Sequence, residues 1–212
     1  SLQDMWNKQG QRKDLGDLVA GKNGDGPLIR LLRNPHNQLK ELTLFDIGMK
    51  DHHLIAVLQS LPSKQIEHLN FACNLIQMPG MLELANLLPK MKSLRKVHFG
   101  HNPWEDLPTD DRTTIGAALV QGMMKNMSIE NIHGTEKTLH SRLLLHYTAL
   151  NYAGRRVLQL SQPIADGLWL LILARVGRNV RFCVWYSDYS ECTRANVIYF
   201  FLQNCPRILS FR

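Results

Sequence analysis

Four histidines, His68, His98, His101 and His133, are the residues of this sequence best equipped for chemistry. Imidazole binds transition metals through a neutral nitrogen and titrates near neutral pH, so such a group suggests a metal centre or a pH sensor. The spacing argues against a metal. No HxH or HExxH occurs, and no carboxylate–histidine pattern recurs, so neither a metal nor another cofactor is expected. His52 and His53 read as surface residues near the start of a helix. His140 or His146 with Cys183 or Cys192 would make a thiol–imidazole couple for nucleophilic catalysis. No glycine-rich oxyanion loop or nucleophile elbow accompanies that couple. Phosphate-cradling GxxxxGK[ST] and GxGxxG loops are missing as well. The expectation is a protein that is not an enzyme.

The charged residues are unevenly placed. The net charge is +7, yet residues 139–212 hold nine Arg, no Lys and three acids. Such asymmetry points to an acidic partner, a membrane surface or nucleic acid. The arginines are dispersed, and no nucleic-acid-binding motif goes with them, so nucleic acid is disfavoured. Arg155 and Arg156, with Arg175, Arg178 and Arg181, are the candidate phosphate contacts. Cys73, Cys183, Cys192 and Cys205 form no CxxC pair, and a small secreted scaffold would be denser in cysteine. That points to free thiols in a reducing compartment, the cytoplasm or nucleus. No apolar run reaches the ~18 residues of a membrane span. The most apolar stretch, GLWLLILARV at Gly167 to Val176, is too short.

The elements that must position these side chains come from a period of 27 to 28 residues. With Ile66, Leu69 and Phe71 at positions 1, 4 and 6, Asn74 falls at 9, Ile76 at 11, Gly80 at 15, and Leu84 and Leu88 at 19 and 23. Leu94, Val97, Phe99, Asn102 and Trp104 repeat the start of the pattern, and Leu39, Leu42, Leu44 and Met49 precede it. A weaker unit begins at Ile129 and Ile132. Positions 4 and 6 alternate with polar neighbours, as in a half-buried strand. Beyond position 11, Met81, Leu84, Leu87 and Leu88 are spaced as on one face of a helix. Neither face is covered within its own unit, so neighbouring units must stack.

This pattern resembles the leucine-rich repeat family in its long, ribonuclease-inhibitor-like form, over Gly26 to Glu136. The resemblance implies an α/β leucine-rich-repeat solenoid of three to four units, with a parallel inner sheet and outer helices. It implies that Asn74 and Asn102 belong to an asparagine ladder that satisfies backbone at the bends. The Leu39 unit has Ile47 in the ladder position, so that bend must be satisfied differently. The Leu94 unit is lengthened by NPWEDLPTDDRTT, in which Trp104 reads as core and Asp110 or Asp111 as helix-start acids. Pro27 to Leu32 reads as the helix of an earlier unit.

In this family the inner sheet face is the usual binding surface. Carried onto the register, that face comprises Glu41, His68, Lys96 and Asn131 at position 3, and Thr43, Asn70, His98 and His133 at position 5. Phe45 at position 7 and His101 at position 8 extend it. The expected function is therefore a protein–protein interaction scaffold or a subunit of a larger complex. Two alternatives are a GTPase activator of leucine-rich-repeat type, for which Arg95 at position 2 is suggestive, and an RNA–protein complex subunit using the C-terminal arginines.

Three domains follow. Residues 1–25 form an N-terminal segment, truncated or poorly ordered, since no initiator Met or signal-peptide core is present. Residues 26–138 carry the repeats. Residues 139–212 form a mainly α-helical C-terminal cap, with helices expected over Leu139–Leu150, Ile164–Val176 (stopped by Gly177) and Thr193–Gln203. Val180 to Tyr186 reads as strand or extended chain. The stretches LNYAGRRVL, GLWLLILARV and ANVIYFFLQNCP resemble the tail of leucine-rich-repeat proteins from unicellular algae.

Overall fold

The computed structural model describes residues 15–21, 25–159, 166–178 and 189–204. Its centre is a four-stranded parallel sheet with strand order β1-β2-β3-β4, formed by Glu41–Thr43, His68–Asn70, Lys96–His98 and Asn131–His133. Parallel neighbours need a long crossover. Here those crossovers carry α3 (Asp51–Ser60), α4 (Met78–Leu87) and α5 (Thr109–Lys125). Two earlier helices, α1 (Leu15–Ala20) and α2 (Pro27–Arg33), pack against each other and against α3.

The alternation in the sequence decides which side of the sheet is covered. The central residues Leu42, Leu69, Val97 and Ile132 are buried, while their polar neighbours remain accessible. Beneath the strands, Leu54, Val57 and Leu58 of α3, Met81 and Leu84 of α4, and Ile115, Leu119 and Met123 of α5 join Phe71, Phe99 and Trp104 in one core. Full burial of each such aliphatic side chain contributes ~1.5–3 kcal/mol.

At each strand's end the chain bends, and three bends share one conformation. Asp46, Cys73 and His101 all take positive φ, at 54°, 58° and 59°. A left-handed non-glycine residue costs about 1 kcal/mol or more. Its recurrence at one register position marks a demand of the bend. Asparagines satisfy the backbone there. Asn74 Oδ1 accepts the N–H groups of Ile47 and Met49 (3.1 and 3.0 Å), and its Nδ2 donates to Leu44, Phe71 and Ala72 carbonyls. Asn102 Oδ1 does the same for Asn74 and Ile76, both at 3.1 Å. The bend with Ile47 at the asparagine position is thus served from the following unit.

The N-terminal segment, set aside as truncated or poorly ordered, does contribute to the fold. Ala20 on α1 is buried in the core, and Gly26 N–H donates to Ala20 O at 2.9 Å. A boundary at 25/26 therefore separates residues that pack together.

The C-terminal helices are longer or displaced relative to expectation. α6 spans Ser141–Ala153, not Leu139–Leu150. A turn closed by Thr138 N–H on Thr135 O delays its start, and Leu139 stands 72% exposed. Asn151 does not end α6, because its side chain bonds elsewhere. Gly154 ends it, at φ 105° in the left-handed region. α7 spans Asp166–Arg178 and passes through Gly177, a tolerated cost of about 1 kcal/mol. α8 spans Tyr189–Asn204, starting four residues before the expected Thr193. Val180 to Tyr186 lies outside the described residues. α6 joins two cores: Leu144 packs with the sheet, while Leu150 and Ala153 pack with Trp169, Ile172, Val197 and Phe201. Among the described residues, no helix is long and apolar enough to cross a membrane.

Candidate functional site

The uncovered face of the sheet brings the expected residues together in rows. Strand register pairs Glu41 with His68, His68 with Lys96, and Lys96 with Asn131. The second row runs Thr43, Asn70, His98, His133. Adjacent strands are about 4.8 Å apart, so each row is a line of near neighbours. None of the ten expected residues is buried, and Phe45 is 50% exposed beside the first strand. Ala72 and Thr135, at the same register position as Phe45, are buried and closed to a ligand.

Local contacts pre-shape this surface. His68 Nδ1 lies 2.8 Å from Glu41 Oε1, which joins the first two strands. Asn70 Oδ1 accepts Ala72 N–H at 3.0 Å, which fixes the side chain and leaves its N–H groups for a partner. His98 and His133 meet edge to face, with centroids 5.3 Å apart. Burial, then the nearby His133 and His101, push His98 below the usual imidazole pKa.

At the carboxyl end of the strands, the lengthened segment supplies a clamp. Its short 3-10 helix, Pro103–Asp106, buries Trp104, whose Nε1 donates to Phe99 O at 3.2 Å. Glu105 accepts the backbone N–H of His101, fixing the left-handed bend. Lys137 Nζ reaches Asp106 at 3.0 Å and Glu105 at 3.6 Å, and the hydrogen bond to Asp106 raises its pKa. Gly134 sits at φ 96°, where an added Cβ would fall 2.4 Å from Gly100 N. Cys73 is a free thiol whose pKa is raised, first by burial and then by Asp46 and Glu105. A protonated thiol is a poor nucleophile.

Protein-family models, curated proteins and solved structures give no match to this chain.

Two of the remaining chemical candidates, His53 and Arg155, have structural roles. His53 is fully buried, contrary to its reading as a surface residue, whereas His52 is exposed. The two lie close to Asp17, in a group whose donor atoms fall within 4.8 Å of one another. The hydrogen bonds argue against a metal there. His53 Nδ1 accepts Lys50 N–H at 3.2 Å, which places the ring proton on Nε2, 2.7 Å from Asp17 Oδ1. A ligating histidine instead donates through its second nitrogen. His53 therefore ties α1 to the start of α3. Its partner lies 36 residues away in the segment set aside, so no local signal marked it.

Arg155, a candidate phosphate contact, is 4% exposed and turned inward. Its guanidinium donates to Met123 and Asn126 carbonyls at the end of α5 and lies 4.9 Å from the Tyr147 ring centroid. The carbonyl end of a helix suits a cation. Burial brings its pKa down to about 10, so it remains charged at neutral pH. Arg156 and Arg175 are exposed, while the side chains of Arg178 and Arg181 lie outside the described set. Arg95 is also exposed, 3.9 Å from Glu130 and off the two rows. Cys183 and Cys205 lie outside the described residues, as does the side chain of Cys192, so the couple with His140 or His146 falls outside them at either cysteine. Asn126 was missed by the repeat pattern. It is fully buried and bonds Leu88 and Met91 carbonyls and the Ser128 and Ile129 N–H groups. The dipeptide Asn-Met before a strand start carries no distinctive signal for that role.

Proposed function

We propose that the chain is a leucine-rich-repeat solenoid of three to four units, closed by an α-helical cap, and that it works as a non-enzymatic interaction scaffold or assembly subunit. Its binding surface is the concave face formed by the two rows. The observation that carries this reading is the continuous accessible line from Glu41 and Thr43 to Asn131 and His133, registered strand by strand. The face mixes carboxylate, imidazole, ammonium and amide groups, which suits a protein surface of mixed polarity better than a single anion or metal. Phe45 supplies an aromatic anchor at one end. Leu170 and Leu171 on α7, 71% and 59% exposed, add support for an assembled state. The partner is a protein, and the free thiol at Cys73 fits a reducing compartment.

The test is the triple variant His68→Ala/Lys96→Ala/His98→Ala, compared with wild type by affinity purification from the native source. Matched circular dichroism spectra control for folding. Selective loss of co-purifying proteins is expected. Unchanged recovery would move the site away from this face.

A further inference from the structure

The cap carries apolar surface that the described residues leave uncovered. α7 packs on one side only. Trp169, Ile172 and Val176 are buried against Val197, Phe201 and Leu150, and the Trp169 and Phe201 rings meet edge to face at 6.0 Å. At about 100° per residue, those three side chains of α7 take up about 60° of its circumference. Leu168, Leu170, Leu171, Leu173 and Ala174 are exposed. By the same register they span about 220°. A surface helix ordinarily turns polar and charged residues outward over such an arc. From Gly167 to Ala174 the sequence offers none. Leu170 and Leu171, the most exposed of these leucines, flank the line opposite the packed side. On α8, which packs against α7, Ile198 and Tyr199 are exposed as well.

Shape and charge say what covers this surface. A protein groove takes one stripe of a helix, at i, i+3, i+4 and i+7, and is edged by a polar rim. It would leave half of this arc wet, and the arc has no polar rim. Fluid hydrocarbon follows a convex apolar ridge wherever it turns. The one charged residue on the arc is exposed Arg175, one turn beyond Leu171. α7 then ends in Arg178, and residues 139–212 carry nine Arg against three acids. Two copies joined here would bring two such cationic caps together, which repels. An anionic surface is drawn to them instead. An arginine at the edge of an apolar stripe lays its stem on hydrocarbon and its guanidinium among headgroups, and an exposed tyrosine suits the same boundary. α7 has 13 residues. At about 20 Å it is too short to cross the ~30 Å hydrocarbon layer, so it would lie in the plane of the surface.

We propose that α7 seats this protein on an anionic lipid surface, its leucines entering the acyl boundary and Arg175 pairing with headgroup phosphates or carboxylates. The proposal goes beyond the concave-face reading, which it leaves to the protein partner.

The experiment is co-sedimentation of the full chain with vesicles of phosphatidylcholine alone and of about 70% phosphatidylcholine with about 30% phosphatidylserine. Partition onto the anionic vesicles should be at least about tenfold greater, and should fall about threefold or more between about 0.1 and about 0.5 M salt. Leu170→Gln/Leu171→Gln changes only exposed side chains to another good helix former. It should keep its melting temperature and lose about tenfold or more in partition. Arg175→Gln should lose about threefold or more on anionic vesicles and nothing on neutral ones. The proposal is overturned by absence of co-sedimentation, by equal partition onto the two kinds of vesicle, or by equal partition of wild type and the leucine variant. Sedimentation equilibrium without lipid should show a monomer. A dimer that the leucine variant dissociates would also overturn it and assign α7 to a second copy. The concave-face triple variant should partition like the wild type, so failure of either reading is visible without the other.

Discussion

Replacing Asn102 with alanine should destabilise the protein by about 4 kcal/mol, with the loss arising chiefly from two N–H groups. Asn102 is 1% exposed and makes five hydrogen bonds within the bend. Three of these are donated to carbonyls that keep a second donor after the change. Phe71 O still receives Asn74 Nδ2, Phe99 O still receives Trp104 Nε1, and Gly100 O still receives Cys73 N–H. The N–H groups of Asn74 and Ile76 have no such reserve, since both rely on Asn102 Oδ1. A buried unsatisfied donor costs about 1–3 kcal/mol, so two cost about 2–6. For a protein of this size, that is a fall in melting temperature of roughly 8–16 °C. Urea unfolding, with Asn131→Ala as an accessible control, measures the difference. A loss below about 1 kcal/mol would refute the assignment of those donors to Asn102.

Gly134→Ala should destabilise by more than about 1 kcal/mol, because positive φ and the close approach to Gly100 N both resist a Cβ; chemical denaturation reads this directly. Arg155→Met should cost about 1–3 kcal/mol by leaving Met123 O without its guanidinium donor, while Asn126 O keeps Asn151 Nδ2. His146, held low first by burial and then by the Arg155 charge, should titrate at a higher pH in that variant, as followed by NMR. His98 has a folded pKa below its ordinary value of 6.5. The unfolded chain therefore takes up the proton first as pH falls, so stability is lost on descending below about 6.5 and the loss levels off beneath the folded pKa. His98→Gln should flatten that slope in denaturation midpoints measured across the window.

The strand rows were legible because their determinants are local. Apolar Leu42, Leu69, Val97 and Ile132 recur at intervals that admit only one in-register stacking, and a one-residue slip would turn His68 and His98 inward. Trp104 was legible as core for the same reason. His53 was not, since its burial depends on Asp17, and two adjacent histidines at a helix start look solvent-exposed by composition. Arg155 and Arg156 are neighbours of identical type, and only the packing of α6 against α5 sends one inward and leaves the other out. Helix ends failed where a side chain had a distant use. Asn151 resembles a helix stop, yet its amide is occupied with Asn126 and Ile129.

The asparagines also give the chain a direction in time. Ile47 is served by a residue 27 positions later, and Asn74 by one 28 positions later. During synthesis each of these two bends must therefore wait, with its amides in water, until its successor has left the ribosome. At roughly 5–20 residues per second, the wait is roughly 1–6 seconds for each unit. Truncation from the carboxyl end strips a bend of its partner, whereas truncation from the amino end leaves every remaining asparagine-served bend intact. The dependence stops at the third bend, where Glu105, four residues on, accepts the His101 N–H, and at Thr135 the turn is closed by the N–H and hydroxyl of Thr138.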